Sequence, residues 1–99
     1  MSQLPPLILF KNASIIRWLE AKQIKGELRG HVGPQDVAHR HVFGHVPTWL
    51  ASFADQISEL SLPSLSREGR ERFNRGELSV EEMDTAGAHI VTYKVRKVL

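Results

Sequence analysis

Leu7-Ile8-Leu9-Phe10 is a continuous apolar run, the pattern of a strand covered on both faces. It stops at Lys11-Asn12-Ala13-Ser14. Apolar positions then recur at helical spacing through Ile15, Ile16, Trp18 and Leu19 to about Lys22, with Arg17, Glu20 and Lys22 turned outward. Asn12 or Ser14 is placed to cap that helix. Gly26 to Val32 is a weaker strand, with Leu28 and Val32 as its apolar members. Gly33-Pro34-Gln35-Asp36 reads as a turn, and Arg40 to Phe43 as a short strand. After Gly44, Pro47 opens an amphipathic helix that carries Trp49, Leu50, Phe53 and Ala54 toward the core and ends near Gln56. Ile57 to Leu62 alternates apolar and polar residues, as a half-exposed strand does, and Pro63 ends it. Ser64 to Gly76 is the most polar stretch and reads as a solvated loop or irregular helix. Ser79-Val80-Glu81-Glu82 is a capping box, so a helix starts there and stops at Gly87. His89 to Leu99 closes the chain as a long strand, packing Val91, Tyr93 and Val95 on one face; its alternation suits an antiparallel edge.

This order predicts an α/β fold in a single domain, residues 1–99, with a mostly parallel central sheet of about five strands and helices on both faces. In such folds ligands bind beyond the carboxyl ends of the strands, where the strand order reverses. Two polar turns are expected at that edge, Lys11 to Ser14 and Gly44 to Pro47. Glycine admits close approach of a ligand, and a helix N-terminus attracts anions. The anion site so predicted comprises Lys11, Asn12, Ser14, Gly44 and His45, with Arg67 and Arg75 on a basic segment within reach.

Composition narrows the chemistry. The 99 residues are 41% hydrophobic, enough for a modest core, and include no cysteine, so disulfides and thiolate metal sites are ruled out. The longest apolar run is too short to span a bilayer, and the first six residues lack a basic signal-peptide region, which leads us to expect a soluble, cytoplasmic chain without membrane association. A net charge of +2 is too small to argue for duplex nucleic acid and better suits a small anionic ligand. A domain of this size gains stability and site area by pairing, so a homodimer is expected. His31, His39, His41 and His45 invite a zinc reading, but His39 and His41 are expected on one strand face and His45 beyond a glycine turn; no metal or cofactor is expected. There is no dinucleotide-binding glycine motif, Walker lysine motif or nucleophile elbow. Trp18 and Trp49, within apolar stripes, are expected in the core.

Phe43-Gly44-His45-Val46-Pro47-Thr48-Trp49-Leu50-Ala51, followed by Arg75-Gly76-Glu77-Leu78-Ser79-Val80-Glu81-Glu82, resembles the small CRISPR-associated ring-nuclease family that is the sixteenth of the Csx families. The likeness extends to Trp18, His31-Val32-Gly33-Pro34, and Gly87-Ala88 before a final Tyr-x-Val strand, in the same order along nearly the whole chain. It implies a Rossmann-like (CARF-like) homodimer of type III systems that degrades the second messenger cyclic tetra-adenylate without metal, leaving 2′,3′-cyclic phosphate ends. A non-catalytic binder of cyclic oligoadenylate, or a small α/β interaction module, is the alternative. The family's first turn reads like Arg-His-Pro-Gly, whereas here it is Lys11-Asn12-Ala13-Ser14. Lysine keeps the charge but loses the bidentate fork, and the imidazole is absent. His45 stands where the family has threonine, beside the glycine turn, and is the expected substitute as general acid. The catalytic set is therefore Asn12, Ser14 and His45, with Lys11, Gly44, Pro47, Arg67 and Arg75 completing the ligand-binding set.

Overall fold

The apolar run near the start forms β1 (Leu7–Ile8), and the remaining elements follow as α1 (Ala13–Ala21), β2 (Glu27–Leu28), α2 (Pro34–Val37), β3 (His41–Phe43), α3 (Thr48–Ala51), β4 (Gln56–Ser61), α4 (Arg67–Asn74), α5 (Val80–Thr85) and β5 (His89–Tyr93). The structure, a computed structural model, describes residues 4–99. The sheet has five strands in the order β2-β1-β3-β4-β5. β1 runs parallel to both β2 and β3, and β3 parallel to β4. The fold is α/β, mostly parallel and Rossmann-like, in the flavodoxin-type strand order. The chain divides into two compact units.

Of the described residues, the first unit contains 4–10, 26–59 and 91–99. Its core forms because alternate residues of the strands share a face. Leu7, Val42 and Ile57 cluster with Val37 of α2 and with Leu50, Ala51 and Ala54 on and after α3. Leu9, Val32, Val46 and Val95 close the edges of that cluster. Removing the fully buried Leu7 side chain would cost about 2–5 kcal/mol, the usual range for a core leucine. The ends of α2 and α3 are tied by an isolated bridge between Ala38 and Ala54, with His39 N–H donating to Phe53 O at 3.2 Å. Arg40 is buried, and its guanidinium donates to Pro5 O at 2.6 and 3.1 Å and lies 3.5 Å from Glu27 Oε1.

The second unit contains residues 11–25 and 60–90. Its three helices end alike. At Gln23, Gly76 and Gly87 the backbone turns left-handed, with φ of 60°, 72° and 84°. In each case the next residue's N–H bonds back five residues: Ile24 to Leu19, Glu77 to Arg72, and Ala88 to Met83. This double closure satisfies the carbonyls that a helix end leaves open. At the other ends Asn12, Ser66 and Ser79 cap α1, α4 and α5. Glu82 completes the capping box and grips Arg72 through both carboxylate oxygens, with Arg72 Nη2 3.0 Å from Oε1. That guanidinium, above all, holds the Glu82 carboxyl down at about 2.

Several expectations are corrected. The helix from Pro47 is one turn, Thr48–Ala51, with Pro47 as its cap, and Gln56 already belongs to β4. Trp49 and Phe53 are consequently outside the core, at 62% and 49% exposure, although Trp18 is buried. The Gly33 turn continues into the short α2, and the Gly26–Val32 strand shrinks to two residues with Leu28 exposed. His39 sits in a left-handed turn and does not share a strand with His41. The polar stretch after Ser64 is a regular helix, α4, with no buried residue. β5 stops at Tyr93, which is half exposed. Trp49 and Phe53 were misplaced because amphipathic spacing shows that a segment has two faces, but not whether anything packs on the apolar one.

Two substitutions test this backbone. Gly44 has φ +156° and a Cβ there would lie 2.9 Å from Leu9 Cβ, so Gly44→Ala should lower unfolding free energy by about 1–3 kcal/mol. Gln23 is a non-glycine in the left-handed region, so Gln23→Gly should be neutral to stabilising by up to about 1 kcal/mol. Urea denaturation of both variants reads out the two effects.

Candidate functional site

The order β2-β1-β3-β4-β5 reverses between β1 and β3, and the carboxyl ends of these two strands form the crevice at which this topology binds ligands. Leu9 N–H donates to Phe43 O at 2.8 Å, and Gly44 N–H donates to Ser58 O at 2.9 Å. These bonds carry the ladder one step past the strands and fix the residues that follow. Gly44 is buried against Leu9, which leaves no room for a side chain. The chain therefore turns tightly and delivers His45 to the surface at 64% side-chain exposure.

His45 is held in two ways. Its ring meets Phe10 edge to face, with centroids 5.7 Å apart and planes at 76°. Its Nδ1 lies 3.3 Å from Glu59 Oε2. A carboxylate only accepts, so Nδ1–H is the donor and Nε2 is the atom left for a ligand. Among the described residues Nε2 has no partner. An oriented imidazole with a carboxylate behind it is a competent proton donor or acceptor. Glu59 escapes a linear reading because only the register of β3 against β4, Phe43 opposite Ser58, brings that end of β4 beside the Gly44 turn. A carboxylate on the alternating Ile57–Leu62 strand was the available signal.

The helix that was to present a positive N-terminus here has a single turn, and a helix that short has almost no macrodipole. Pro47 and Thr48 stand exposed at its start, and the exposed group of this edge able to exchange a proton is the His45 imidazole.

Lys11, Asn12, Ser14, Arg67 and Arg75 fall in the second unit. Asn12 caps α1, accepting from Ser14 N–H at 2.8 Å, while its amide donates to Phe73 O at 2.8 Å. Ser14 is fully buried and its Oγ accepts from Leu78 N–H at 3.0 Å. Arg17, expected to point into solvent, donates to the carbonyls of Gly76 and Leu78 at 2.8 and 2.9 Å. A Cβ on Gly76 would come within 3.2 Å of Ala13 Cβ, so the start of α1 and the Arg75–Leu78 turn are closely fitted. Asn12 uses both its side-chain oxygen and its amide in this fit, and Ser14 takes part in it from a fully buried position. Arg75 pairs with Glu77 at 3.1 Å on the surface, Arg67 opens α4 exposed, and Lys11 is exposed.

A second polar chain crosses the sheet. His41 Nε2 is 2.6 Å from Ser58 Oγ, and Ser58 Oγ is 2.7 Å from Thr92 Oγ1. His41 stacks on Phe43 at 4.4 Å, and burial pushes its pKa below the ordinary value, partly opposed by Asp55. Ser58 is fully buried, so this serine–histidine pair offers no accessible nucleophile. Among the described residues no three histidine or carboxylate side chains converge as a metal site would require.

Comparison with protein-family models, with curated proteins and with solved structures gives no match.

The lowered pKa of His41 sets a pH dependence. The neutral ring is favoured in the folded chain, so its stabilisation is complete above the unfolded value of 6.5 and is lost as pH falls through the lower folded value. Melting temperature should therefore fall more steeply from pH 7 to pH 5 in the wild type than in His41→Gln, as followed by circular dichroism.

Proposed function

We propose that this protein is a ring nuclease acting on cyclic tetra-adenylate, with His45 as its general acid. The motif order from Phe43 to Ala51 and from Arg75 to Glu82 supports the substrate. The observation that carries the chemistry is His45, clamped by Phe10 and Glu59 at the reversal of strand order, with Nε2 free. The 2′-hydroxyl of one ribose attacks the adjacent phosphorus as its proton passes to water. The P–O5′ bond breaks, and the 5′-oxygen takes a proton from the His45 imidazolium. The products are a 2′,3′-cyclic phosphate and a 5′-hydroxyl end. The substrate supplies its own nucleophile, so the protein needs only to align the ribose in line and to protonate the leaving group. Glu59 fixes the orientation of the ring by accepting from Nδ1–H. A homodimer would present two such imidazoles to a ring of two-fold symmetry.

One observation favours a second reading, a binder that holds the ring without cutting it. The turn where the family has its histidine offers here no imidazole, and its Asn12 and Ser14 are both occupied in packing α1.

Single-turnover assay of labelled cyclic tetra-adenylate in EDTA decides between them. The nuclease reading predicts linear products, with a loss of about 10²-fold in His45→Ala and roughly tenfold in Glu59→Gln, the ordinary worth of an acid and of its orienting partner. Retention of intact ring on the protein supports the binder. Cleavage unchanged by His45→Ala removes that residue from the mechanism.

A further inference from the structure

A groove of about 490 Å³ lies between α3 and the chain that follows β5, within the first unit. Trp49, Phe53 and Val95 provide its apolar lining, and Arg96 and Lys97 line it as well. Trp49 on α3 and Phe53, two residues beyond its end, line the same groove, at 62% and 49% exposure. Two large aromatics left in water on so small a chain mark an interaction surface, since a scattered surface leucine needs no explanation but a paired aromatic groove does.

Charge selects among possible occupants. No carboxylate lines the groove, and among the described residues neither Arg96 nor Lys97 makes an ion pair. A second copy laid face to face would bring these four cations to one contact with nothing to neutralise them. An acidic partner meets both requirements, with apolar anchors for the lining and carboxylates for the rim. Ser52 Oγ donates to Trp49 O at 2.8 Å, and the surface of the groove is predominantly apolar. The lining therefore matches aliphatic or aromatic side chains more closely than nucleotides.

We infer that this groove docks an acidic amphipathic helix of a partner protein, its apolar residues at i, i+3, i+4 and i+7 entering over Trp49 and Phe53 and its carboxylates pairing with Arg96 and Lys97. The mode is a helix laid in a hydrophobic groove with a complementary charged rim. It is independent of the chemistry at His45.

A fluorescein-labelled fourteen-residue peptide of leucine, glutamate and aspartate in that pattern is the probe, read by fluorescence anisotropy against the intact chain. Saturable binding is expected with Kd below about 100 µM. Trp49→Ala and Phe53→Ala should each weaken it about tenfold, as buried aromatic anchors do. Arg96→Glu with Lys97→Glu should weaken it by roughly tenfold and flatten its salt dependence. All four side chains lie outside the buried core, and circular dichroism verifies that the variants fold. The same peptide with lysine in place of its acids should fail to bind. The proposal is overturned if the acidic peptide does not bind, if binding is indifferent to these substitutions, or if labelled single-stranded oligoadenylate occupies the groove in its place. Concentration-dependent pairing of the chain that Trp49→Ala abolishes, seen by sedimentation, would equally overturn it by assigning the face to a second copy.

Discussion

The constraint on which the site depends is the close approach of β1 to β3. Leu9 and Gly44 meet with no space for a side chain on the second, and the backbone bonds of Leu9 and Gly44 to the neighbouring strands hold that contact in register. A larger residue at Gly44 would push the strand ends apart just where the chain leaves the sheet. His45 is the next residue, so its position is inherited from that packing. The ring contact with Phe10, itself just past β1, and the Glu59 bond from β4 then select one orientation among those available to a surface histidine. Three adjacent strands thus each place one side chain at the same edge.

The second unit uses its polar residues differently. Asn12, Ser14 and Arg17 all spend their hydrogen bonds on the backbone between Phe73 and Leu78, and Trp18 Nε1–H donates to Asp84, which Lys22 also pairs with. The Arg-Gly-Glu-Leu segment is a helix stop fitted against α1, with Gly76 in the left-handed turn that ends α4. A stretch that looks like a binding motif can thus owe its composition to packing, because glycine and a short capping side chain serve both purposes.

Much of the fold was legible in the residues. Leu7 to Phe10 could be little else than a buried strand start, Asn12 and Ser79 announced their helices, and Gly87 the end of one. The α/β class followed from that order. What pattern alone could not supply was contact. Trp49 and Phe53 lie on an apolar stripe as good as that of Trp18, yet α3 ends after one turn and leaves them in water. His45 could be singled out by its place beside a glycine turn, but Glu59 and Phe10 became its partners only through strand register. Ser14 looked like a polar group on a ligand-binding turn, whereas its hydroxyl is sealed under Leu78 N–H.

The proposed role of His45 requires a single oriented tautomer with Nε2 toward the ligand. Long-range ¹H–¹⁵N NMR of the histidine side chains tests it directly. Neutral His45 should carry its proton on Nδ1, and cyclic tetra-adenylate should shift the Nε2 resonance at stoichiometric addition. A proton on Nε2, or an Nε2 resonance unmoved by saturating ligand, would contradict it.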